Sequence, residues 1–135
     1  LRDERCLVLF ILGLYLGEGS KQKDTFCFGN SDPSLIRVWQ SCLRRVFIID
    51  EAKWAAQLSL SEGMDERYLK EFWSELTGIP LHRFHKTSWR KGKPRKIREG
   101  YRGVCLLHYY DLKIRRFLDV LWEVLIERLS VNVGP

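Results

Sequence analysis

The sequence has no apolar run long enough to cross a membrane. Its longest uncharged stretch covers residues 7–17, which is eleven residues, whereas a membrane-spanning helix needs roughly 20. No secretory leader, internal repeat or convincing linker is visible. A chain of 135 residues is long enough for one domain with its own core, so we predict a single domain over residues 1–135. Because the chain begins at Leu1 and not at Met, the natural N-terminus could lie upstream.

The sequence also lacks the residue spacing of a zinc-binding protein. Its four cysteines, at positions 6, 27, 42 and 105, lie far apart among apolar neighbours and form no CxxC pair. The three histidines complete no ligand pattern, so a zinc site is not expected. Four cysteines allow two disulfides, but reduced core thiols are the interpretation we prefer. Such thiols are typical of an intracellular protein.

Positive charge is in excess, and the excess lies in one segment. Residues 90–102 contain seven basic side chains and one acidic one, a net charge of +6 that equals the formal net charge of the whole chain. A concentrated basic segment is typical of a protein that binds a polyanion such as nucleic acid. A solvated, flexible loop is the alternative. Trp89, Tyr101 and three glycines flank the segment and favour a long hairpin whose tip reaches a phosphate backbone.

The apolar stretch itself predicts a buried helix over residues 3–17. Its first turn carries Asp3 and Glu4, where negative charge is favourable, and residues 7–16 are apolar on all sides. Gly13 and Gly17 share one face, although a glycine inside a helix costs about 1 kcal/mol relative to alanine. Close approach of a second helix would explain both glycines. That helix could belong to the same chain or to a second copy.

The rest of the chain predicts an alternation of strands and helices. Asp32-Pro33 is a typical helix start, and Gly78 and Pro80 are typical stop signals. The pattern gives a hairpin over residues 20–30, helices over 32–46, 65–77 and 111–128, and strands over 53–61, 81–89 and 103–109. This order predicts an α+β fold in which a mostly antiparallel sheet carries helices on one face and leaves the other face wet.

The nine residues from Ile11 to Gly19, ILGLYLGEG, resemble the LAGLIDADG motif of homing endonucleases. Gly13 and Gly19 align with the two motif glycines, and Gly17 and Glu18 align with the small residue and the acidic residue before the second glycine. Leu16 stands at the first acidic position, which is the looser of the two in the family. The phrase GNSDP at 29–33 and the order of elements also fit, so the resemblance covers nearly the whole chain.

The resemblance implies an αββαββα domain with an extra helix over 65–77 and an antiparallel sheet that forms a DNA-binding saddle. It implies a site-specific endonuclease for double-stranded DNA, encoded within an intron or intein or as a free-standing gene. A chain with one motif would act as a homodimer, which suits an all-apolar helix with glycines on one face. The implied compartment is the cytoplasm or nucleoid, or an organelle for an organellar intron. The expected interface residues are Leu9, Leu12, Gly13, Leu16 and Gly17.

The chemistry that the resemblance implies gives Glu18 a role. Hydrolysis of a phosphodiester needs an activated water and neutralised charge on the leaving oxygen, and divalent ions supply both. We expect Mg²⁺, or another divalent cation such as Mn²⁺, to bind Glu18 and the carbonyl group of Gly17, because magnesium prefers hard oxygen ligands. A surface carboxylate without function is the alternative for Glu18. A catalytic helper on the strands is also implied, and the candidates are Gln57, Lys86 and His108.

The wet face of the sheet is the expected DNA surface, with most contacts to phosphates and a few to base edges. The candidate residues are Lys21, Gln22, Lys23, Asn30, Arg83 or His82, Lys86, Arg90, Lys91, Lys93, Arg95, Lys96 and Arg98. Three other functions remain open. Proteins of this kind include DNA-binding regulators that no longer cleave and maturases that assist splicing of intron RNA. A dimerising scaffold with an incidental basic loop is the third.

Overall fold

The computed structural model describes residues 3–92 and 99–130. These residues form four helices and four strands, with two short 3₁₀ turns between them. In chain order these are α1 (Glu4–Glu18), β1 (Cys27–Asn30), α2 (Pro33–Val46), a turn (Glu51–Lys53), β2 (Trp54–Ser61), α3 (Glu66–Thr77), a turn (Leu81–Arg83), β3 (Ser88–Arg90), β4 (Val104–Tyr109) and α4 (Lys113–Ser130). Within the described ranges, no helix has the length and apolar character that crossing a membrane requires.

Aspartates at the N-caps explain where three of the helices begin. The side chains of Asp3, Asp32 and Asp65 accept hydrogen bonds from backbone N–H groups at the starts of α1, α2 and α3, which satisfies donors that have no partner inside the helix. Pro33 occupies the first turn of α2, and Gly78 ends α3 in a left-handed conformation with φ 73°. The predicted helices are therefore confirmed, each within a few residues.

The four strands form one sheet in the order β1-β4-β2-β3. The pairs β1–β4 and β4–β2 are antiparallel, whereas β2–β3 is parallel. The predicted α+β class is confirmed. The prediction of an antiparallel sheet is wrong at one edge, because β3 runs alongside β2 in the same direction.

One face of the sheet and all four helices form a single hydrophobic core. Alternate residues of β2 and β4 point into it, so that Leu58 and Leu107 are buried while their neighbours are partly exposed. Phe28 of β1 stacks on Trp39 of α2 with ring centroids 4.3 Å apart. The opposite face, here called the open face, carries Gln57, Ser59, Val104, Leu106 and His108.

The predicted hairpin over residues 20–30 is reduced to one strand and a bridge. Gly19 forms an isolated antiparallel bridge with Phe28, and the N–H of Ser20 donates to the carbonyl of Cys27 at 2.9 Å. The guanidinium of Arg115 on α4 donates to the carbonyls of Gln22 and Thr25. Those two carbonyls are therefore hydrogen-bonded to a side chain and not to a neighbouring strand. The first strand of the predicted hairpin is absent from the described residues.

The predicted strand over residues 81–89 and the basic hairpin after it are also wrong. Only Ser88–Arg90 is a strand, preceded by the 3₁₀ turn and a single bridge between Phe84 and Ala56. Because β2 lies between β3 and β4, these two strands are not hydrogen-bonded neighbours and do not form a hairpin. Gly103, just before β4, has φ 75°, and a Cβ atom there would overlap the side chain of Leu60. The approach to β4 therefore requires glycine.

The cysteines carry no disulfide. Cys27, Cys42 and Cys105 are buried, as expected of core thiols, but Cys6 is exposed on α1. The prediction of a buried thiol is wrong for Cys6, because its helical position faces away from the core.

Candidate functional site

The exposed face of α1 is apolar and carries both glycines. The side chains of Leu9 and Phe10 are 51% and 47% exposed, and Gly13 and Gly17 are exposed beside them. A Cβ atom added to either glycine would meet no atom within 4 Å among the described residues. Packing against a helix of the same chain therefore does not account for these glycines. Pairing with a second copy stays a prediction.

Two of the predicted interface residues lie elsewhere on α1. Leu12 is in the core with 3% of its surface exposed, and Leu16 packs against the core from a partly buried position. At 100° per residue, Leu12 lies a quarter-turn or more from Gly13, whereas Phe10 lies on the exposed face. Because this stretch is apolar throughout, the sequence does not distinguish the core-facing side of α1 from its exposed side. Phe10 is therefore absent from the predicted interface residues.

Glu18 is the last residue of α1, and its carboxylate is exposed. Asn30 at the end of β1 donates from Nδ2 to Glu18 Oε2 at 3.3 Å. The oxygen of the same amide, Asn30 Oδ1, accepts from the N–H of Asp32 at 2.8 Å. The start of α2 thus orients Asn30, and Asn30 orients Glu18. Asn30 is among the predicted DNA contacts, and its pairing with Glu18 is not predicted by the sequence.

Lys21 supplies a positive charge at the end of α1, whose last turn has no basic residue. Its Nζ donates to the carbonyl of Leu16 at 2.5 Å and to that of Tyr15 at 3.5 Å. A cation is favourable at the negative end of a helix. The ammonium group predicted to contact DNA is therefore held by the helix in this structure.

Gln57 and Lys86, two predicted helpers, lie together on the far side of the open face from Glu18. Gln57 Nε2 donates to the backbone carbonyl of Lys86 at 2.9 Å, which fixes the amide while the Lys86 side chain is exposed. Gln57 pairs across the sheet with Leu106, which pairs with Gly29 of β1. Two strand spacings separate Gln57 from Gly29, a distance of about 10 Å.

His108, the third predicted helper, lies in a cluster at the end of β4. Its ring is 5.4 Å from that of His85 and is stacked on Tyr110 at 6.0 Å, and its Nε2 is 4.0 Å from Cys27 Sγ. Burial, and then the charge of His85, lowers the pKa of His108. Burial raises the pKa of Cys27 to about 11. At neutral pH the pair is therefore an uncharged imidazole beside a thiol.

The remaining predicted DNA contacts are spread around the sheet. Gln22, Lys23 and Lys91 are exposed. Arg83 Nε donates to the carbonyl of Trp54 at 2.5 Å, and Arg90 Nη2 donates to the hydroxyl of Tyr101 at 2.7 Å. Lys93, Arg95, Lys96 and Arg98 lie outside the described residues.

The donor atoms near Glu18 suit a hard divalent cation only in part. Among the described residues, no group of three or more His, Cys, Asp or Glu side chains could hold a metal ion. One protomer offers the Glu18 carboxylate and the carbonyl oxygens of the last turn of α1, including Gly17. Magnesium binds in this way when substrate phosphates and water complete its ligands. The donor set therefore fits Mg²⁺ provided that DNA or a second protomer contributes.

Comparisons with known proteins give no family for this chain. No family model, no curated protein and no solved structure matches it. The resemblance of residues 11–19 to the LAGLIDADG motif is thus neither supported nor excluded by these comparisons.

Proposed function

We propose that the chain is a divalent-metal-dependent endonuclease for double-stranded DNA that resembles LAGLIDADG homing endonucleases and works as a homodimer. One observation carries the proposal: the unpacked glycine face of α1 ends at an exposed carboxylate, Glu18, that Asn30 holds in place. An exposed apolar helix face is costly in water unless another surface covers it.

Pairing of the exposed α1 faces would bring the two copies of the Glu18 carboxylate to the same end of the dimer interface. Gly13 and Gly17 leave room for two helix backbones to approach closely, and a two-fold axis supplies the same surface from the partner. The two copies of Glu18 then lie at the same end of the seam. Each copy serves one DNA strand, so cleavage of both strands needs the dimer.

The open face of the sheet suits a duplex lying across it. Its central positions are neutral, with Gln57, Ser59 and Leu106, and basic residues such as Lys86 and Arg90 stand at its β3 edge. Neutral side chains contact base edges while basic ones contact phosphates. Lys93, Arg95, Lys96 and Arg98, which lie outside the described residues, add positive charge to the same segment of the sequence.

The residues nearest to Glu18 each have a defined task. Glu18 and the carbonyl of Gly17 would hold the divalent ion, which when bound supplies charge neutralisation at the phosphate and an acidic water. Asn30 keeps the Glu18 carboxylate in one orientation, and Lys21 keeps the end of α1 stable before DNA binds. Gln57 and His108 stay predicted helpers with no step assigned to them at Glu18, because Gln57 lies about 10 Å from Gly29 and His108 lies beside His85 and Tyr110.

A DNA-binding regulator that does not cleave is the second candidate, and one observation favours it. The open-face residues of β4 are Val104, Leu106 and His108, so this central strand lacks the Lys, Arg or Gln that the family uses as a helper. If neither Gln57 nor Lys86 takes the role of that helper, the protein is expected to bind DNA without cutting it.

The test uses a library of random-sequence duplexes incubated with the protein and Mg²⁺, followed by sequencing of cut ends and of bound DNA. Glu18→Gln is expected to reduce cutting by about 100-fold or more, the upper end of the effect of altering a metal site, while binding is kept. Glu62→Gln, at an exposed carboxylate in the turn after β2, is the matched control. Cutting by Glu18→Gln at the wild-type rate contradicts the catalytic assignment. Duplex binding without cutting by the wild type selects the regulator.

A further inference from the structure

A polar cleft lies at the opposite end of the open face from Glu18. It has a volume of about 220 Å³ and is lined by Ala55, His82, Arg83, Phe84, His85 and Tyr110. Glu18 is hydrogen-bonded to Asn30, which lies near the start of β4. The cleft lies past the last residue of β4 and beyond β2. None of the lining side chains is a carboxylate, and three of them carry or can acquire a positive charge.

The donor groups of the cleft are held by the sheet. Arg83 donates from Nε to the carbonyl of Trp54 at 2.5 Å, and its two terminal nitrogens have no hydrogen-bond partner among the residues that the structure describes. The N–H of His85 donates to the carbonyl of Ala56 at 2.8 Å, and the N–H of Tyr110 donates to that of Lys53 at 2.9 Å. The Tyr110 hydroxyl and His85 Nε2 are 2.8 Å apart. The backbone thus fixes a guanidinium, an imidazole and a phenol around one space.

We propose that this cleft binds a phosphate group, and that in the proposed endonuclease the ligand is one backbone phosphate of the duplex, away from the cut site at Glu18. The identity of the ligand as DNA rests on the proposed function, but the phosphate chemistry does not. A guanidinium with free terminal nitrogens matches phosphate geometry, and the hydroxyl and imidazole add donors. Contacts of this kind position a protein on DNA without reading its sequence.

The first experiment uses inorganic phosphate and NMR of the histidine side chains. Addition of phosphate is expected to shift the His85 resonances of the wild type. Tyr110→Phe is expected to lose most of that response, whereas Tyr68→Phe is expected to keep it. The two tyrosines are a matched pair because they are 55% and 56% exposed, and Tyr68 lies on α3, away from the cleft.

The second experiment uses a random-sequence 30-base-pair duplex and measures binding against salt concentration. Arg83→Gln is expected to reduce the slope of log K against log salt by about 1, the value for one lost phosphate contact. Arg37→Gln, at an exposed arginine of α2, is expected to keep the wild-type slope.

The outcomes separate this proposal from the proposed function. If phosphate leaves the His85 resonances unchanged and Arg83→Gln keeps the wild-type salt slope, the cleft is not a phosphate site, even where the chain cuts DNA. If phosphate shifts His85 but the wild type does not bind duplexes, the cleft is confirmed and the endonuclease is contradicted. Should Arg83→Gln not fold, because its bond to Trp54 is lost, the Tyr110→Phe comparison decides.

Discussion

The amide of Asn30 donates to the carboxylate of Glu18 across 3.3 Å, which links the end of β1 to the end of α1. The same amide accepts from the N–H of Asp32, so the start of α2 also fixes the orientation of the carboxylate. In the proposed endonuclease, a side chain in this position would act on the reaction through Glu18.

Asn30→Ala is therefore expected to lower the rate of metal-dependent cutting by about 10- to 100-fold, the usual effect of removing a group that orients a metal ligand. The Mg²⁺ concentration for half-maximal cutting is expected to rise as well, because the carboxylate is no longer held. Ser31→Ala, at the next residue, is the control. Unchanged rate and Mg²⁺ dependence in Asn30→Ala would remove Asn30 from the site.

Gly13→Ala is expected to have opposite effects on the monomer and the dimer. The added Cβ meets nothing within 4 Å in the single chain, so the unfolding free energy of the monomer rises by up to about 1 kcal/mol through helix propensity. In the dimer the methyl group separates the two helices, and the dissociation constant is expected to rise by tenfold or more. Urea unfolding at low protein concentration and analytical ultracentrifugation measure the two effects. Ser41→Ala on α2 is the control, and a dimer of wild-type strength in Gly13→Ala contradicts the seam.

The partly buried imidazole of His108 predicts a loss of stability in acid. Because burial and His85 lower its pKa in the folded state, the unfolded chain binds more protons once the pH falls below about 6.5. The contribution of His108 to the unfolding free energy is complete above that pH and is lost as the pH falls toward the lowered value. His108→Gln removes this titration, so its stability is expected to change less between pH 7.5 and pH 5.5. His82→Gln, at an exposed histidine, is expected to follow the wild type, and parallel curves for all three proteins would contradict the assignment.

Cys6 is expected to react with a thiol reagent far faster than the other three cysteines. It is exposed, whereas burial raises the pKa of Cys27, Cys42 and Cys105, and the thiolate is the reactive form. At pH 8 and a protein concentration at which the chain is monomeric, one thiol reacts rapidly and Cys6→Ser removes that phase. Rapid reaction of a second thiol would show that the core opens easily.

The local part of the fold could be predicted from the sequence, because its signals lie within a few residues of each other. Asp32 and Pro33 specify the start of α2, and Gly78 specifies the end of α3. The pairing of β3 with β2 could not be predicted, since Ser59 and Ser88 meet through a long connection and the short strand has no clear alternation. The missing first strand of the hairpin depends on Arg115, which lies 90 residues from Thr25.

The candidate site, like the fold, could be predicted only where its residues are close together in the sequence. The motif around Glu18 is contiguous, so its carboxylate and glycines could be found. Asn30 reaches Glu18 only because β1 ends beside α1, and His85 reaches Tyr110 only because the turn at Leu81–Arg83 returns the chain to the sheet. No spacing in the sequence encodes either contact.

The most direct test of the account uses dimers that contain one wild-type protomer and one Glu18→Gln protomer. A duplex target selected from the random library is incubated with these mixed dimers and Mg²⁺, and the two labelled strands are analysed separately. Because each Glu18 serves one strand, the mixed dimer is expected to nick a single strand while the wild-type dimer cuts both. Cutting of both strands by the mixed dimer at the wild-type rate would contradict the central claim.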